Sequence, residues 1–139
     1  MADYVLAFPA TLPAYEKAFE DLRQALEQHG VQEKGRYNVE LVFEEIVTNV
    51  IRHGSLDRTE CAVEVSVGFK PDAVIISFCD NGQPFDPITH EFPENPDESI
   101  EKARIGGLGL ILVRKACTRM EYERTQQGCN QLVVTIADA

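Results

Sequence analysis

Tryptophan is absent from the 139 residues, and no apolar run approaches the roughly 18 residues that a membrane-crossing helix needs. A membrane partner is therefore not expected. Positive charge is scarce: 13 Lys and Arg stand against 23 Asp and Glu, a formal net charge of −10. Such a surface opposes docking onto a phosphate backbone, which argues against nucleic acid as a direct partner. The four cysteines, Cys61, Cys79, Cys117 and Cys129, contain no C-x-x-C pair. His29, His53 and His90 have no Cys or carboxylate at metal-ligand spacing, so neither a zinc centre nor a catalytic thiol is expected. The opening MADYVLAFPA lacks the basic, then apolar profile of a secretory leader, which leaves the cytoplasm as the expected location. Also missing is G-x-x-x-x-G-K-[ST], which removes the commonest phosphate loop.

What is present has the size of one compact domain, taken as 1–139. Tyr4 to Phe8 reads as a strand ended by Pro9, and Thr11 can cap a helix with Tyr15, Phe19, Leu22 and Leu26 on one stripe. A second helix, from about Arg36 to Arg52, carries Val39, Val42, Phe43, Ile46 and Val50. Val63, Val65, Val67 and Phe69 alternate with small or polar residues, as do Val74, Ile76 and Phe78 after Lys70-Pro71-Asp72, which predicts a hairpin. Four of the seven prolines fall between Pro84 and Pro96 in an acidic stretch without periodicity, expected to form a flap over about 84–106. A third helix opens at Gly106-Gly107-Leu108-Gly109, and two strands follow, around Tyr122 and from Gln131 to Ile136. The order β-α-α-β-β-flap-α-β-β predicts an α+β fold, a two-layer sandwich with helices on one face of a mixed, largely antiparallel sheet.

Three short constellations sit at element boundaries. Glu45 and Asn49 are one helical turn apart and share a face. A carboxylate can take a proton from an attacking hydroxyl, and a carboxamide oxygen can ligate Mg²⁺ without adding charge beside a polyphosphate. Asp80-Asn81-Gly82 closes a strand; Asp80 can accept from an exocyclic amino group such as that of adenine, and Gly82 lets the backbone come close to a base. Arg104 precedes Gly106, Gly107 and Gly109, where bare amides at a helix start suit phosphate. Each is common alone: E-x-x-x-N decorates many solvated helices, Asp-Asn-Gly is turn chemistry, and glycine clusters make hinges. Together, and in this order, they supply the parts of a nucleotide site.

The combination resembles the Bergerat (GHKL) ATP-binding fold, and within it the small anti-sigma-factor serine/threonine kinases of bacteria, the RsbW type. The resemblance rests on Glu45 to Gly54, Asp80 to Pro87 and Arg104 to Leu110, and extends over nearly the whole chain. It implies that Glu45 is the general base, Asn49 the Mg²⁺ ligand and Asp80 the adenine-reading residue, with Gly82 beside the base. It further implies that Arg104, Gly106, Gly107, Leu108, Gly109 and Leu110 close an ATP lid over the phosphates, and that Asn130 lies near the adenine.

The activity so implied is transfer of the γ-phosphoryl group of ATP, with Mg²⁺, to a serine or threonine of a small anti-anti-sigma (STAS-type) protein. A sigma factor would be the second partner, and a homodimer the expected assembly. Histidine kinases usually carry asparagine where this chain has Glu45, and they need a helical dimer that 139 residues leave no room for. Two alternatives remain at this point: a non-catalytic ATP-binding regulatory module, and a slow ATPase.

Overall fold

A computed structural model describes residues 3–53, 61–88 and 108–138. Of the expected flap only 84–88 lies within them. Arg104, Gly106 and Gly107 lie outside the described residues, as do the side chains of His53 and Leu108.

The chain runs β1 (Tyr4–Pro9), α1 (Leu12–Gln28), α2 (Glu33–His53), β2 (Ala62–Lys70), β3 (Ala73–Asp80), α3 (Leu108–Ala116), β4 (Arg119–Arg124) and β5 (Asn130–Ala137). Among the described residues, five strands form one sheet in the order β1-β2-β3-β5-β4, and its four pairings are antiparallel. The edges are β1 and β4. Period-two patterning gives the sheet its two faces: Val74, Ile76, Phe78 and Asp80 of β3 are buried, as are Asn130, Leu132, Val134 and Ile136 of β5. The residues between them are less covered and point to the face away from the helices.

The helices cover the buried face. Leu22 and Leu26 of α1, Val39, Val42, Phe43 and Val47 of α2, and Leu110 and Val113 of α3 join the strand residues in one core. Phe43 lies in its middle, stacked on Tyr15 at 5.9 Å and tilted against Phe8, Phe19 and Phe78. Among the described residues, no helix is long and apolar enough to cross a membrane.

Local chemistry sets the boundaries. Thr11 Oγ1 accepts the Ala14 amide at 3.4 Å, and Pro13 pre-sets the first turn of α1. Gly30, at φ 71°, supplies the left-handed residue that turns the chain from α1 towards α2. The second helix starts at Glu33, three residues before the expected Arg36, because a distant residue caps it. Asp138 Oδ1 accepts the Gln32 amide at 2.8 Å across a separation of 106 residues. Gly35 permits that approach, since a Cβ there would lie 2.6 Å from Asp138 Oδ1.

Candidate functional site

One end of the sheet carries a polar row. The register pairs Asp80 with Asn130 and Asn130 with Arg124, so β3, β5 and β4 each place one polar residue there, beside the apolar Val63 of β2. Asp80 and Asn130 are 9 % and 6 % exposed. Buried polar groups need partners, and protein groups supply them to both side-chain polar atoms of Asn130 and to one oxygen of Asp80. Asp80 Oδ1 accepts the Gly82 amide at 2.9 Å and Asn130 Nδ2 at 3.1 Å. Asn130 Nδ2 also donates to the Gln83 carbonyl at 2.6 Å, while Asn130 Oδ1 accepts the Phe85 amide and the Tyr122 hydroxyl. Arg124 Nη1 donates to the Gly82 carbonyl at 2.8 Å, and Asn81 Oδ1 accepts the Ala62 amide at 2.8 Å.

This network consumes only one oxygen of Asp80. Oδ2 has no hydrogen-bond partner among the described residues, which leaves it to accept from a ligand. Burial pushes the Asp80 carboxyl above its ordinary value, against the downward pull of Asn130, Gly82 and Arg124.

A second cluster forms where α2 meets α3. Glu45 and Asn49 lie on successive turns of α2, and Asn49 is 5 % exposed. The only hydrogen bond of its side chain among the described residues is a long one, from Arg52 Nη2 to Oδ1 at 3.5 Å. The Glu45 carboxylate lies against the first turn of α3, where a Cβ on Gly109 would fall 2.7 Å from its Cδ. Glycine is required for that approach. No hydrogen bond holds the Glu45 carboxylate among the described residues. Its pKa is raised first by burial and then by Glu44, with Arg52 opposing. The same acidic pair contributes to pushing the Tyr15 phenol up to about 12, after burial.

The first-turn amides of α3 have no intrahelical acceptor and carry the positive end of the helix dipole. Gly109 and Leu110 are buried in that turn, with Leu108 opening it. The structure thus unites Glu45 with Gly109, and Asp80 with Gly82 and Asn130. The two clusters are tied through Arg114 of α3, whose Nε and Nη2 both donate to the Pro87 carbonyl, at 3.1 and 2.6 Å. That carbonyl belongs to the segment that runs on from Asp80.

Sequence reading missed Arg52, Gln83, Arg114, Tyr122 and Arg124. A signal existed for Arg114, which with Lys115 follows the apolar run of α3, and for Tyr122 and Arg124, which are two apart on one edge strand. Their partners are main-chain carbonyls and one carboxamide, which no side-chain motif records.

With this geometry established, the chain can be set beside known proteins. The family model of the histidine kinase-like ATPase domain matches residues 8–136. The serine-protein kinase RsbW of Oceanobacillus iheyensis is 32% identical over 79 residues, covering 55% of this chain and 50% of the relative. The chain thus spans about half the length of that curated relative. A solved chain of the SiaB–SiaC complex from Pseudomonas aeruginosa superposes with a TM-score of 0.70 at 16% identity, covering 97% of this chain and 89% of that one. A chain with the RsbU and RsbW domains of Rv1364c from Mycobacterium tuberculosis gives 0.64 at 17%, covering 98% and 33%. The nucleotide-free catalytic domain of histidine kinase ThkA gives 0.52 at 13%, covering 97% of each. At these identities the solved structures show the fold, and it is the GHKL ATPase fold.

Proposed function

We propose that this chain, which belongs to the histidine kinase-like ATPase domain family, is an ATP-dependent serine/threonine kinase. Its substrate would be a small anti-anti-sigma (STAS-type) protein, and through it the chain would control a sigma factor by partner switching. Likeness to the Oceanobacillus serine-protein kinase supports the reaction type, and the SiaB–SiaC complex supports a fold that works with a protein partner.

The observation that carries this reading is the state of Glu45. Its carboxylate is partly desolvated, is held by no hydrogen bond among the described residues, and rests against a helix N-terminus where phosphate oxygens are favoured. A group that only bound nucleotide would not need an acceptor in that place.

In the proposed reaction, Asp80 Oδ2 accepts from the adenine amino group while Gly82 and Gln83 flank the base. The amides at the start of α3 meet the phosphates, and Arg104, Gly106 and Gly107 are assigned to the same task by family resemblance. Glu45 accepts the proton from the partner's hydroxyl as its oxygen bonds to the γ-phosphorus and the bond to the β-phosphate bridge breaks, leaving ADP.

Asn49 suits a magnesium ion that arrives with the nucleotide. It offers one buried neutral oxygen under a single long hydrogen bond. Among the described residues no group of three His, Cys, Asp or Glu side chains could hold a metal alone, so the remaining oxygens would come from phosphate and water. Bound there, the ion would offset phosphate charge during transfer. Phosphorylation adds about −1.5 to −2 charges to the partner, which weakens its hold on a chain of net charge −10.

Incubation with γ-labelled ATP, Mg²⁺ and candidate acceptor proteins tests the reading. Label on an acceptor hydroxyl is the expected result. Label released as inorganic phosphate would make the chain a hydrolase, and nucleotide binding with neither outcome would make it a regulatory module. Glu45→Gln should keep nucleotide affinity and lose about 10²- to 10⁴-fold in transfer rate; full transfer by this variant would remove Glu45 from the role.

A further inference from the structure

The register that sets Asp80 opposite Asn130 also brings two cysteines together on the other face of the sheet. Cys79 precedes Asp80 on β3 and points away from the helices. It lies opposite Gln131, so Cys129, one residue before β5, is its diagonal neighbour. Their side chains are near enough that Cys129 helps to push the Cys79 thiol up, after burial. Both are partly exposed, and neither is in a disulfide.

We infer that Cys79 and Cys129 are a modification site, a cross-strand pair that a hydroperoxide converts to a reversible disulfide immediately beside Asp80 and Asn130. The two thiols divide the work by their surroundings. Burial, Cys129, Glu64 and Asp80 together keep the proton on Cys79. Cys129 sits at the end of a turn, its amide held by Thr125 Oγ1 at 3.1 Å, and supplies the first nucleophile. Its thiolate attacks one peroxide oxygen, the O–O bond breaks, and hydroxide leaves, giving the sulfenic acid. Cys79 sulfur then attacks the oxidised sulfur, forming S–S and expelling the oxygen as water. In sum, two thiols and one hydrogen peroxide give one disulfide and two waters. Cys61 is buried and burial pushes the Cys117 thiol up to about 12, so both are built to stay out of the reaction.

The bond would act on the neighbouring site. A disulfide needs sulfurs about 2.05 Å apart, closer than any two unbonded thiols, so Cys129 must be drawn towards β3. Asn130 follows it in the chain and holds Asp80 Oδ1. Oxidation therefore disturbs the aspartate that the proposed function assigns to adenine, and this consequence rests on that reading.

The test treats the full chain with hydrogen peroxide, caps remaining thiols, and maps the peptides by mass spectrometry. A Cys79–Cys129 linked peptide that disappears with dithiothreitol is expected. No such peptide, Cys129 carried on to the sulfinic acid, or a link through Cys61 or Cys117 would overturn the inference. Calorimetry with Mg-ATP then compares reduced and oxidised protein: affinity should fall severalfold on oxidation and recover on reduction. The Cys79→Ser/Cys129→Ser variant should be insensitive to peroxide. Equal affinities in the two wild-type states would overturn the coupling. Failure of the reduced protein to bind Mg-ATP would instead overturn the nucleotide site, leaving the peptide result to stand or fall by itself.

Discussion

Burial pushes the Asp80 carboxyl upward even though Gly82, Asn130 and Arg124 all pull it down, so its negative charge is held against a net desolvation penalty. A carboxyl whose pKa rises on folding binds its proton more tightly folded than unfolded. Stability is therefore lost as pH climbs from the ordinary aspartate range through the folded value. Asparagine escapes this loss and can still accept from Gly82 and Asn130. Asp80→Asn should thus melt no lower than the parent at pH 7 while losing about 10- to 100-fold in nucleotide affinity, the worth of a hydrogen bond to a charged acceptor. A melting curve and a titration check the two halves separately. Glu45 is raised by burial and Glu44, and it works as a base only when ionised. Transfer should fall as pH drops through a pKa above the usual 4.5, and that acid limb should vanish from the residual rate of Glu45→Gln. At this scale the elements that carry Glu45, Asp80 and Asn130 were legible: α2, the end of β3 and the start of β5. The sequence could not display the contacts of Arg114, Arg124 and Asn130, because Pro87, Gly82 and Gln83 accept through main-chain carbonyls that any residue possesses.

Among the elements, α3 shows how a short helix is made into a wall of the site. Leu110 and Val113 bury one side in the core, while Gly109 presents bare backbone to Glu45. Gly109→Ala gains helix propensity worth about 1 kcal/mol but places a methyl group where the carboxylate lies. Stability should therefore change little, and phosphoryl transfer should fall about 10²-fold, as expected when a catalytic group is displaced by an ångström. A parental rate would mean that Glu45 does not work from this turn. Among the described residues the sequence predicted each of the eight elements, chiefly from periodicity, because most have one wet and one dry side. Periodicity misjudged the start of α2 because Asp138, which caps that helix, belongs to the far end of the chain.

Across the whole molecule, the same Asp138 joins the last residues described to the loop between α1 and α2, and its own amide donates to the Asp72 carbonyl at 2.9 Å. Asp138→Ala removes a helix cap and should destabilise the fold by about 1 kcal/mol. Asp80 and Asp138 are at opposite ends of the β3–β5 pairing, so nucleotide affinity should not change. Chemical denaturation and a nucleotide titration on one sample would measure both. The order of strands was not legible from periodicity, since β5 inserts between β3 and β4 and only the packed sheet specifies that neighbour. The insertion has a consequence of parity. Asp80 and Cys79 differ by one step along β3 and look out of opposite sides of the sheet. Deleting a single residue within that strand would exchange them, turning a thiol inward and the carboxylate outward, whereas deleting two would restore the original facing. Strand-length changes on this scaffold should accordingly be made in even steps.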